Sequence, residues 1–293
     1  MKKWLTAQWM QQTVFVGPAV LAYTIVMALP IMLGLYYSFT SWNGISSSVQ
    51  WVGWQNFKSI LTADPDFGSS FWFTARFTAA VVLLSNLLGF ALAFILSKPL
   101  KTRNWLRTIF FMPNVLGGLL LGFIWQFIFV QSFPKIGEAT NIGLFNLPWL
   151  GTESTAFWGL VIVSVWQGAG YLMVIYIAGL TNVPGDLLEA AAIDGAKGWQ
   201  ILRHIVLPLI MPAVTICLFL SISWAFKSFD LNFSLTQGGP YKSTESVAMN
   251  IYYEAFKNNR YGLGTAKAII FFVAVTVITM IQVSVTKKRE VEM

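Results

Sequence analysis

The chain has 293 residues, of which 56% are hydrophobic and only 11% are charged, and its mean hydropathy is +0.64. Soluble domains carry about 25% charged residues, so this composition excludes an ordinary soluble protein and indicates an integral membrane protein. The net charge of +7 does not indicate nucleic-acid binding, because the basic residues stand at the ends of apolar runs and form no continuous patch.

Six apolar runs are near or above the ~20 residues that cross a hydrocarbon core. The predicted spans cover residues 13–39, 71–97, 108–130, 156–180, 207–226 and 268–285. The first run has no small-residue cleavage site, so we expect no cleavable signal peptide. Three longer connections are predicted. Residues 40–70 are expected to form a loop with a short helix, residues 131–155 a loop without helix, and residues 227–267 a long polar loop. The pattern predicts one all-α membrane domain, 1–293, with six transmembrane helices.

The orientation follows from the basic residues. With the N-terminus placed in the cytoplasm, 11 of the 19 Lys and Arg residues fall on the inner segments, although the outer segments are together nearly twice as long. This bias predicts a multi-pass protein of the cell membrane with both termini cytoplasmic. The same orientation places residues 181–206 inside the cell.

Residues 181–206 carry the signals of a helix start. Pro184 suits the first helical position, and Asn182 precedes it as a candidate cap. Asp186 and Glu189 are predicted in or near the first turn, where the positive end of the helix dipole favours carboxylates.

Gly195 is the predicted end of this short helix, because glycine takes the left-handed conformation of a helix C-terminus without steric cost. A second helix is predicted over 199–207, and Pro208 opens the fifth apolar run. The segment is therefore expected to be a helix, a glycine turn and a second helix that leads into the membrane.

The spacing in this segment is Glu-Ala-Ala, three residues, Gly, nine residues, Ile, one residue and Leu-Pro. It matches the EAA signature of ABC-importer permeases at every fixed position: Glu189, Ala190, Ala191, Gly195, Ile205, Leu207 and Pro208. The resemblance implies that these residues, together with Asp194, form the coupling loop that docks into a cleft on a cytoplasmic ATPase.

The resemblance covers nearly the whole chain. Residues 18–42, 52–61, 229–230 and 236–240 look like the corresponding stretches of sugar-type ABC permeases, closest to the group that includes the larger maltose permease subunit. The extra N-terminal spans and the large outer insertion of that subunit have no counterpart in this sequence. The glycerol-phosphate permeases share the same signatures, so the resemblance indicates the family more firmly than the substrate.

The family resemblance implies a type I ABC importer permease fold. It also implies a second homologous permease in a heterodimer, two ATPase subunits, an extracytoplasmic solute-binding protein, a sugar substrate and surrounding lipid, but no nucleic acid. No cofactor is expected on this chain, whereas ATP and Mg²⁺ are expected on the partner ATPase.

Polar and aromatic residues inside the spans are candidates for a sugar pathway, because rings stack on pyranoses and amides bond their hydroxyls. The candidates are Asn86, Asn114, Trp166, Gln167, Tyr171 and Trp224. Trp166, Gln167 and Tyr171 form the best cluster, since positions 167 and 171 share one helix face. For each residue the alternative is ordinary helix packing. Nearby glycines are expected to mark close helix contacts: Gly117, Gly118, Gly122, Gly168 and Gly170.

No catalytic constellation is present. The sequence has one histidine, His204, and one cysteine, Cys217, which leaves no cluster for a metal, and it has no GxSxG, HExxH or Walker A motif. The chain is thus not expected to be an enzyme.

Two other functions stay open: a permease for glycerol-3-phosphate or another polar solute, and a channel or secondary carrier. Few ionisable residues fall inside the predicted spans, which disfavours ion-coupled transport.

Overall fold

The computed structural model describes the backbone of residues 2–290 and the side chains of residues 9, 10 and 12–290. The described chain is helical, and its one β-bridge joins Thr40 to Trp51. The α-helices are α1 Lys2–Tyr23, α2 Leu29–Ser38, α3 Gln55–Ala63, α4 Pro65–Leu96, α5 Arg103–Phe111, α6 Gly118–Phe127, α7 Phe133–Thr140, α8 Glu153–Thr181, α9 Gly185–Ile193, α10 Gly198–Ile201, α11 Leu207–Leu209, α12 Met211–Phe226, α13 Asp230–Leu235, α14 Val247–Tyr252 and α15 Tyr261–Lys287.

Several of these helices continue into one another through tighter or wider turns. A 3₁₀ turn, Met112–Val115, follows α5. Single π-helical turns follow α1, α6, α10 and α14, namely Thr24–Ala28, Ile128–Ser132, Leu202–Val206 and Tyr253–Lys257.

Five helical stretches among the described residues are long and apolar enough to cross a membrane, and the pair Gly198–Leu209 and Met211–Phe226, bent by 71°, raises the number to as many as six. The five are Gln12–Ser38, Pro65–Leu96, Gly118–Thr140, Glu153–Thr181 and Tyr261–Lys287. The predicted all-α membrane protein is confirmed. Two spans begin earlier than predicted, at Pro65 and Tyr261, because their helices continue for more than a turn beyond the apolar run.

The predicted third span, 108–130, is wrong as a single helix. The helix is interrupted at Leu116 and Gly117, whose backbones are extended (ψ 130° and 143°), and it restarts at Gly118. Pro113 has no N–H to donate to the helix, so this stretch is a weak point of the backbone ladder. The helix that follows runs on to Thr140, so much of the predicted loop 131–155 is helical as well.

The connection 227–267, predicted as a long polar loop, is also largely helical. It holds α13, α14 and the first turns of α15. Leu231, Leu235, Val247 and Met249 are buried, so the short helices gain their stability from tertiary packing. The apolar runs of these helices are too short to register as spans, which is why the hydropathy pattern missed them.

The described chain divides into two compact units. The first consists of Met1–Asp64 and Ile251–Phe271. In it, the Asn56 side-chain amide donates to the carbonyl oxygens of Ser38 and Thr40, both at 2.8 Å, and thereby closes the chain that follows α2. In the span Gln12–Ser38, no residue of the most apolar stretch is buried by the rest of the described chain. The apolar surface of this helix is therefore exposed.

The second unit consists of Pro65–Asn250 and Phe272–Met293 and is built on the pairing of α4 with α8. Gly89 permits the close approach of these helices: a Cβ at this position would lie 3.0 Å from the carbonyl oxygen of Ala169. A hydroxyl capping box starts α8, in which Thr152 and Thr155 each accept from the other's backbone N–H at 3.2 Å. Two apolar clusters, one around Phe77 and Leu160 and one around Leu172 and Cys217, fill the core.

Candidate functional site

The glycine turn of the coupling segment, residues 181–206, has the geometry of a Schellman motif. The Ala196 N–H donates to the Ala191 oxygen at 2.9 Å, and the Gly195 N–H donates to the Ala192 oxygen at 3.1 Å. Gly195 has φ +77°, as the sequence predicted. A Cβ there would meet no atom within 4 Å, so the demand for glycine comes from the backbone and not from crowding.

The start of α9 differs from the prediction by one residue. Pro184 is extended (ψ 128°) and stands before the helix, which begins at Gly185. Asn182 does not cap α9, since it ends α8 by donating its backbone N–H to the preceding turn. Asp186 lies in the first turn as predicted, whereas Glu189 lies one turn further on.

Most of α9 is exposed, including the signature residues Glu189 and Ala190 and the adjoining Asp194, while Ala191 is half-buried. Two large apolar side chains accompany them: Ile193 is 86% exposed and Leu187 46% exposed. Sequence reasoning missed both, although their spacing with Ala190 at i, i+3 and i+6 places them on one side of the helix. The helix therefore offers an apolar face with a carboxylate beside it.

The second arm of the segment runs without interruption from Gly198 to Leu209 and then meets α12 at a 71° bend. The bend lies at Ile210, between Pro208 and Pro212, which confirms the predicted break near the start of the fifth span. Ile205, Leu207 and Pro208 are half-buried along this arm. Helix α12 follows the bend directly, so continuous backbone joins α9, the second arm and this membrane helix.

Basic side chains gather at the same end of the second unit. The Arg107 guanidinium donates to the Leu96 carbonyl oxygen at 2.7 Å and so satisfies the C-terminus of α4, where a positive charge is favourable. Lys98, Lys101 and Arg103 around it are exposed.

Asn86, a pathway candidate, joins three helices. Its Oδ1 accepts from the Tyr176 hydroxyl of α8 at 2.7 Å, and its Nδ2 donates to Ser221 Oγ of α12 at 3.0 Å and to the Val82 oxygen at 2.7 Å. Both the oxygen and the nitrogen of its side-chain amide therefore form hydrogen bonds within the protein. Asn86 also lines a largely apolar cleft of about 540 Å³, in which Tyr176, Leu218 and Phe226 take part.

Gln167 stabilises the interrupted third span. Its Nε2 donates at 3.0 Å to the carbonyl oxygen of Leu116, which the break in the helix leaves without an intrahelical donor. A polar side chain from a neighbouring helix is the usual partner for such a group at membrane depth. Tyr171, one turn along α8, packs on the apolar cluster around Leu172, so the two residues that share a predicted face have different environments.

The other pathway candidates lie in two environments. Trp166 is 42% exposed, and its ring meets that of Trp125 edge to face with centroids 5.4 Å apart. Asn114 is exposed in the 3₁₀ turn before the break. Trp224 is half-buried and lies against Gly168, where a Cβ would stand 2.7 Å from its ring. The structure therefore leaves Trp166 and Asn114 accessible and places Trp224 in a helix contact.

The predicted close contacts at glycine are confirmed for four of the five. Gly170 lies against the backbone of Phe110, and Gly118 lies against Asp230, where a Cβ would come within 2.9 Å of the aspartate Cβ. Gly122 meets Ser234 in the same way, and Gly168 meets Trp224. Gly117 has open space around it, since it is one of the two extended residues at the break.

A charged cluster in the first unit was missed. Lys267, assigned from the sequence to a loop, lies within α15 and is buried, and its Nζ is 2.7 Å from Asp64 Oδ2 and 2.6 Å from Glu254 Oε2. Arg260 Nη1 lies 3.5 Å from the other oxygen of Glu254. The sequence analysis did not predict this cluster, because Asp64 is distant along the chain and the stretch that holds Glu254, Arg260 and Lys267 was assigned to a loop.

Among the described residues, no three potential ligand side chains of His, Cys, Asp or Glu are grouped as a metal site. The bundle of membrane-spanning helices, with an exposed helix–glycine turn–helix segment ahead of a bent span, has the type I ABC importer fold. The solved transporter "involved in the import of the acidic polysaccharide alginate", from a bacterium, has this fold: it matches with a TM-score of 0.84 over 98% of each chain, at 20% identity.

Residues 85–291 match the family described as "Binding-protein-dependent transport system inner membrane component". The chain belongs to this family. It is 48% identical over 279 residues to the "Probable starch degradation products transport system permease protein AmyD" of Thermoanaerobacterium thermosulfurigenes, covering 95% of this chain and 94% of that protein. It is 34% identical over 262 residues to the "Multiple sugar-binding transport system permease protein MsmF" of Streptococcus mutans, covering 89% and 90% respectively.

Proposed function

We propose that this chain is the membrane-spanning permease of an ATP-driven importer that takes up oligosaccharides from an extracytoplasmic solute-binding protein. The observation that carries the proposal is the exposed coupling segment, in which the Schellman turn at Gly195 joins α9 to the arm that leads into α12. The names of the relatives, which specify starch degradation products and multiple sugars, supply the substrate class. The best candidates are therefore α-linked gluco-oligosaccharides.

The complete importer contains a second homologous permease and two ATPase subunits, which bind ATP and Mg²⁺. This chain itself binds no cofactor. The exposed apolar span Gln12–Ser38 is the surface that contacts lipid and the second permease. Both termini and the basic end of the second unit face the cytoplasm, where exposed Lys98, Lys101 and Arg103 agree with the positive-inside rule.

The mechanism follows from the connectivity of the coupling segment. Docking of Glu189 and the apolar side of α9 onto the ATPase fixes the first arm. When ATP closes the ATPase pair, the Schellman turn transmits the displacement to the second arm, and the bend at Ile210 turns it into a tilt of α12. Asn86 and Ser221 link α12 to α4, so the tilt alters the helix surfaces that line the pathway.

A permease for glycerol-3-phosphate is the second candidate in the same class. A phosphate needs cationic groups in the pathway. The buried lysine of α15, Lys267, is within 2.7 Å of two carboxylates and is neutralised by them. This lysine therefore offers no free positive charge to a phosphate, and the names of the relatives favour a sugar.

The test is uptake of maltotetraose by proteoliposomes that contain the complete complex. We expect uptake to require ATP, both ATPase subunits and the binding protein. Uptake that persists without the ATPase would identify a channel or secondary carrier instead. Uptake of glycerol-3-phosphate with no uptake of maltotetraose would overturn the substrate class alone.

A further inference from the structure

A cleft of about 800 Å³ lies in the second unit at the end of α8 opposite the coupling segment. It is formed by the first turns of α4, the first turns of α8 and the turn after α13, and its polar and aromatic lining includes Asp66, Trp72, Arg76, Glu153, Trp158, Tyr241 and Lys242. We call it the α4–α8 cleft. Helix α8 has 29 residues, so about 43 Å separates its two ends.

Aromatic rings stand exposed around this cleft. Trp72 is 64% exposed, Trp158 48% and Tyr241 93%. Tryptophans at helix ends also occur in the membrane-interface belt, but Tyr241 lies on a turn and the wall between the rings is charged. An interface belt therefore does not account for the whole lining.

The turn that carries Tyr241 is tightly built. Thr244 Oγ1 donates to the Gly239 oxygen at 2.6 Å, and the Thr244 N–H donates to the Gly238 oxygen at 3.1 Å. Tyr241 itself has φ +51°, a strained value for a residue with a side chain. Hydrogen bonds therefore hold the backbone of this turn, which presents an almost fully exposed aromatic ring at the edge of the cleft.

The turn is also fastened to α4. The Val247 N–H donates to Thr74 Oγ1 at 3.0 Å, and the buried carboxylate of Glu245 accepts from Asn250 at 2.8 Å and from Ser70 at 3.4 Å. These bonds lie directly behind the cleft wall. The chain that follows the turn is accordingly anchored to α4 by buried hydrogen-bonding groups.

The charges of the cleft balance. Lys242 Nζ pairs with Asp66 Oδ2 at 2.6 Å, and this leaves one guanidinium and one carboxylate, Arg76 and Glu153, which form no ion pair with any described residue. Arg76 is held by rings, with its guanidinium carbon 5.2 Å from the centroid of Phe157 and 6.0 Å from that of Trp72. The cleft thus presents hydrogen-bond donors and acceptors with no net charge, and aromatic rings position the donor Arg76.

This combination suits a sugar. Exposed rings offer flat apolar faces to the C–H face of a pyranose, a guanidinium donates to two neighbouring hydroxyls, and a carboxylate accepts from two. The volume lies within the roughly 300–1,000 Å³ of small-molecule sites. We propose that the α4–α8 cleft is a saccharide-binding site on the extracytoplasmic side, which holds one end of an uncharged oligosaccharide before it enters the membrane. The proposal rests on the oligosaccharide function proposed above.

A labelling experiment tests the site without transport. Tyr241→Cys is introduced into the complete complex on a Cys217→Ala background, since Cys217 is the one cysteine of the chain and is buried. The rate of maleimide labelling is measured in proteoliposomes without ATP, with maltotetraose alone, with sugar-free binding protein alone, and with neither. Leu144→Cys, which is exposed and lies outside the cleft lining, is the matched control.

We expect maltotetraose alone to slow the labelling of Tyr241→Cys several-fold and to leave Leu144→Cys unchanged. Labelling that maltotetraose alone does not slow overturns the proposal. If sugar-free binding protein slows it in that case, the cleft is a protein contact surface instead. This assay decides the question even if the complex transports no saccharide, so it separates failure of the site from failure of the proposed function.

Uptake by variants provides the second measurement. Trp158→Ala and Glu153→Gln are each expected to raise the maltotetraose concentration for half-maximal uptake about tenfold, through the loss of one stacking or one charged hydrogen-bonding group. Trp105→Ala and Glu138→Gln, exposed residues outside the cleft, are the controls. Unchanged half-saturation in both cleft variants, with a normal parent complex, overturns the proposal and leaves the importer function intact.

Discussion

The ammonium group of Lys267 lies 2.6 Å from a carboxylate oxygen of Glu254, and the side chains of both residues are at least nine-tenths buried. Asp64 supplies a second carboxylate at 2.7 Å. The cluster holds together three parts of the first unit, namely the end of α3, the π-helical turn after α14 and the second turn of α15.

Lys267→Met should destabilise the protein strongly, because it removes the buried ammonium group between the carboxylates of Asp64 and Glu254 and leaves Glu254 with its longer contact to Arg260. Removal of one partner of a buried ion pair costs roughly 3–5 kcal/mol. We expect a clear fall in the thermal unfolding temperature of the purified complex. Lys257→Met, an exposed lysine of the adjoining segment, is the control and should unfold like the parent. Equal unfolding temperatures for both variants would show that the cluster contributes no net stability.

Gly195→Ala should impair coupling through its backbone alone. Its φ of +77° costs an L-residue roughly 1–2 kcal/mol, although a Cβ there meets nothing within 4 Å. We expect normal membrane levels, reduced sugar uptake and weaker stimulation of ATP hydrolysis by loaded binding protein, with a larger effect for Gly195→Val.

Two variants control this prediction. Gly198→Ala, also in open space but outside the positive-φ region, should retain uptake, and Gly195→Asn should retain most of it, because asparagine tolerates the left-handed conformation. Full uptake by Gly195→Val would remove the coupling role from this turn.

Asn86→Leu should lower stability more than it changes the apparent affinity for sugar. The substitution deprives the Tyr176 hydroxyl and Ser221 of a partner between helices, and an unsatisfied buried polar group costs about 1–3 kcal/mol. Tyr176→Phe on the same background should restore part of the loss. Unfolding temperatures of the two single variants and the double variant measure the coupling. A change in half-saturation with an unaltered unfolding temperature would assign Asn86 to the pathway.

Trp166→Ala is the contrasting prediction for the pathway. Because Trp166 is 42% exposed and contacts Trp125 only along one edge, its removal should leave assembly intact and weaken uptake, by up to about tenfold for a lost stacking contact. Normal uptake, or loss of the complex, would contradict a role in the pathway.

Gly170→Ala should disturb the packing of α8 on α5, since its Cβ would overlap the backbone of Phe110, which cannot rotate away. Overpacking of this kind costs typically about 1–3 kcal/mol. The unfolding temperature of the complex should fall, whereas Gly68→Ala, in open space on α4, should leave it unchanged or raise it slightly. A stable Gly170→Ala complex would show that the two helices separate easily.

The topology prediction is tested by single-cysteine labelling on the Cys217→Ala background. Cysteine placed at Gly239 should react with an impermeant maleimide from outside the cell, and cysteine placed at Lys197 only after permeabilisation. This expectation is based on the excess of Lys and Arg on the segments that lie on the same side of the membrane as residues 181–206. Labelling of Gly239→Cys only from the inside would reverse the orientation.

The features that the sequence alone determined are local ones. A membrane span is recognised from the hydropathy of its own residues, and the positive φ of Gly195 follows from the demands of one helix end. The family prediction is confirmed for the same reason, because the fixed positions of its signature lie within twenty residues of one another. The bend near Pro208 belongs to this group too, since a proline breaks the ladder of its own helix.

The tertiary structure alone decided the partners of polar groups. Asn86 meets Ser221 across 135 positions of the chain, and Gln167 meets Leu116, at the break before α6, across 51 positions. No pattern of neighbouring residues contains either bond. The helices α13 and α14 form because tertiary packing buries them, not because their own apolar runs are long. Lys267 looked like a loop residue for the same reason: its burial depends on two carboxylates that only the folded chain brings to it.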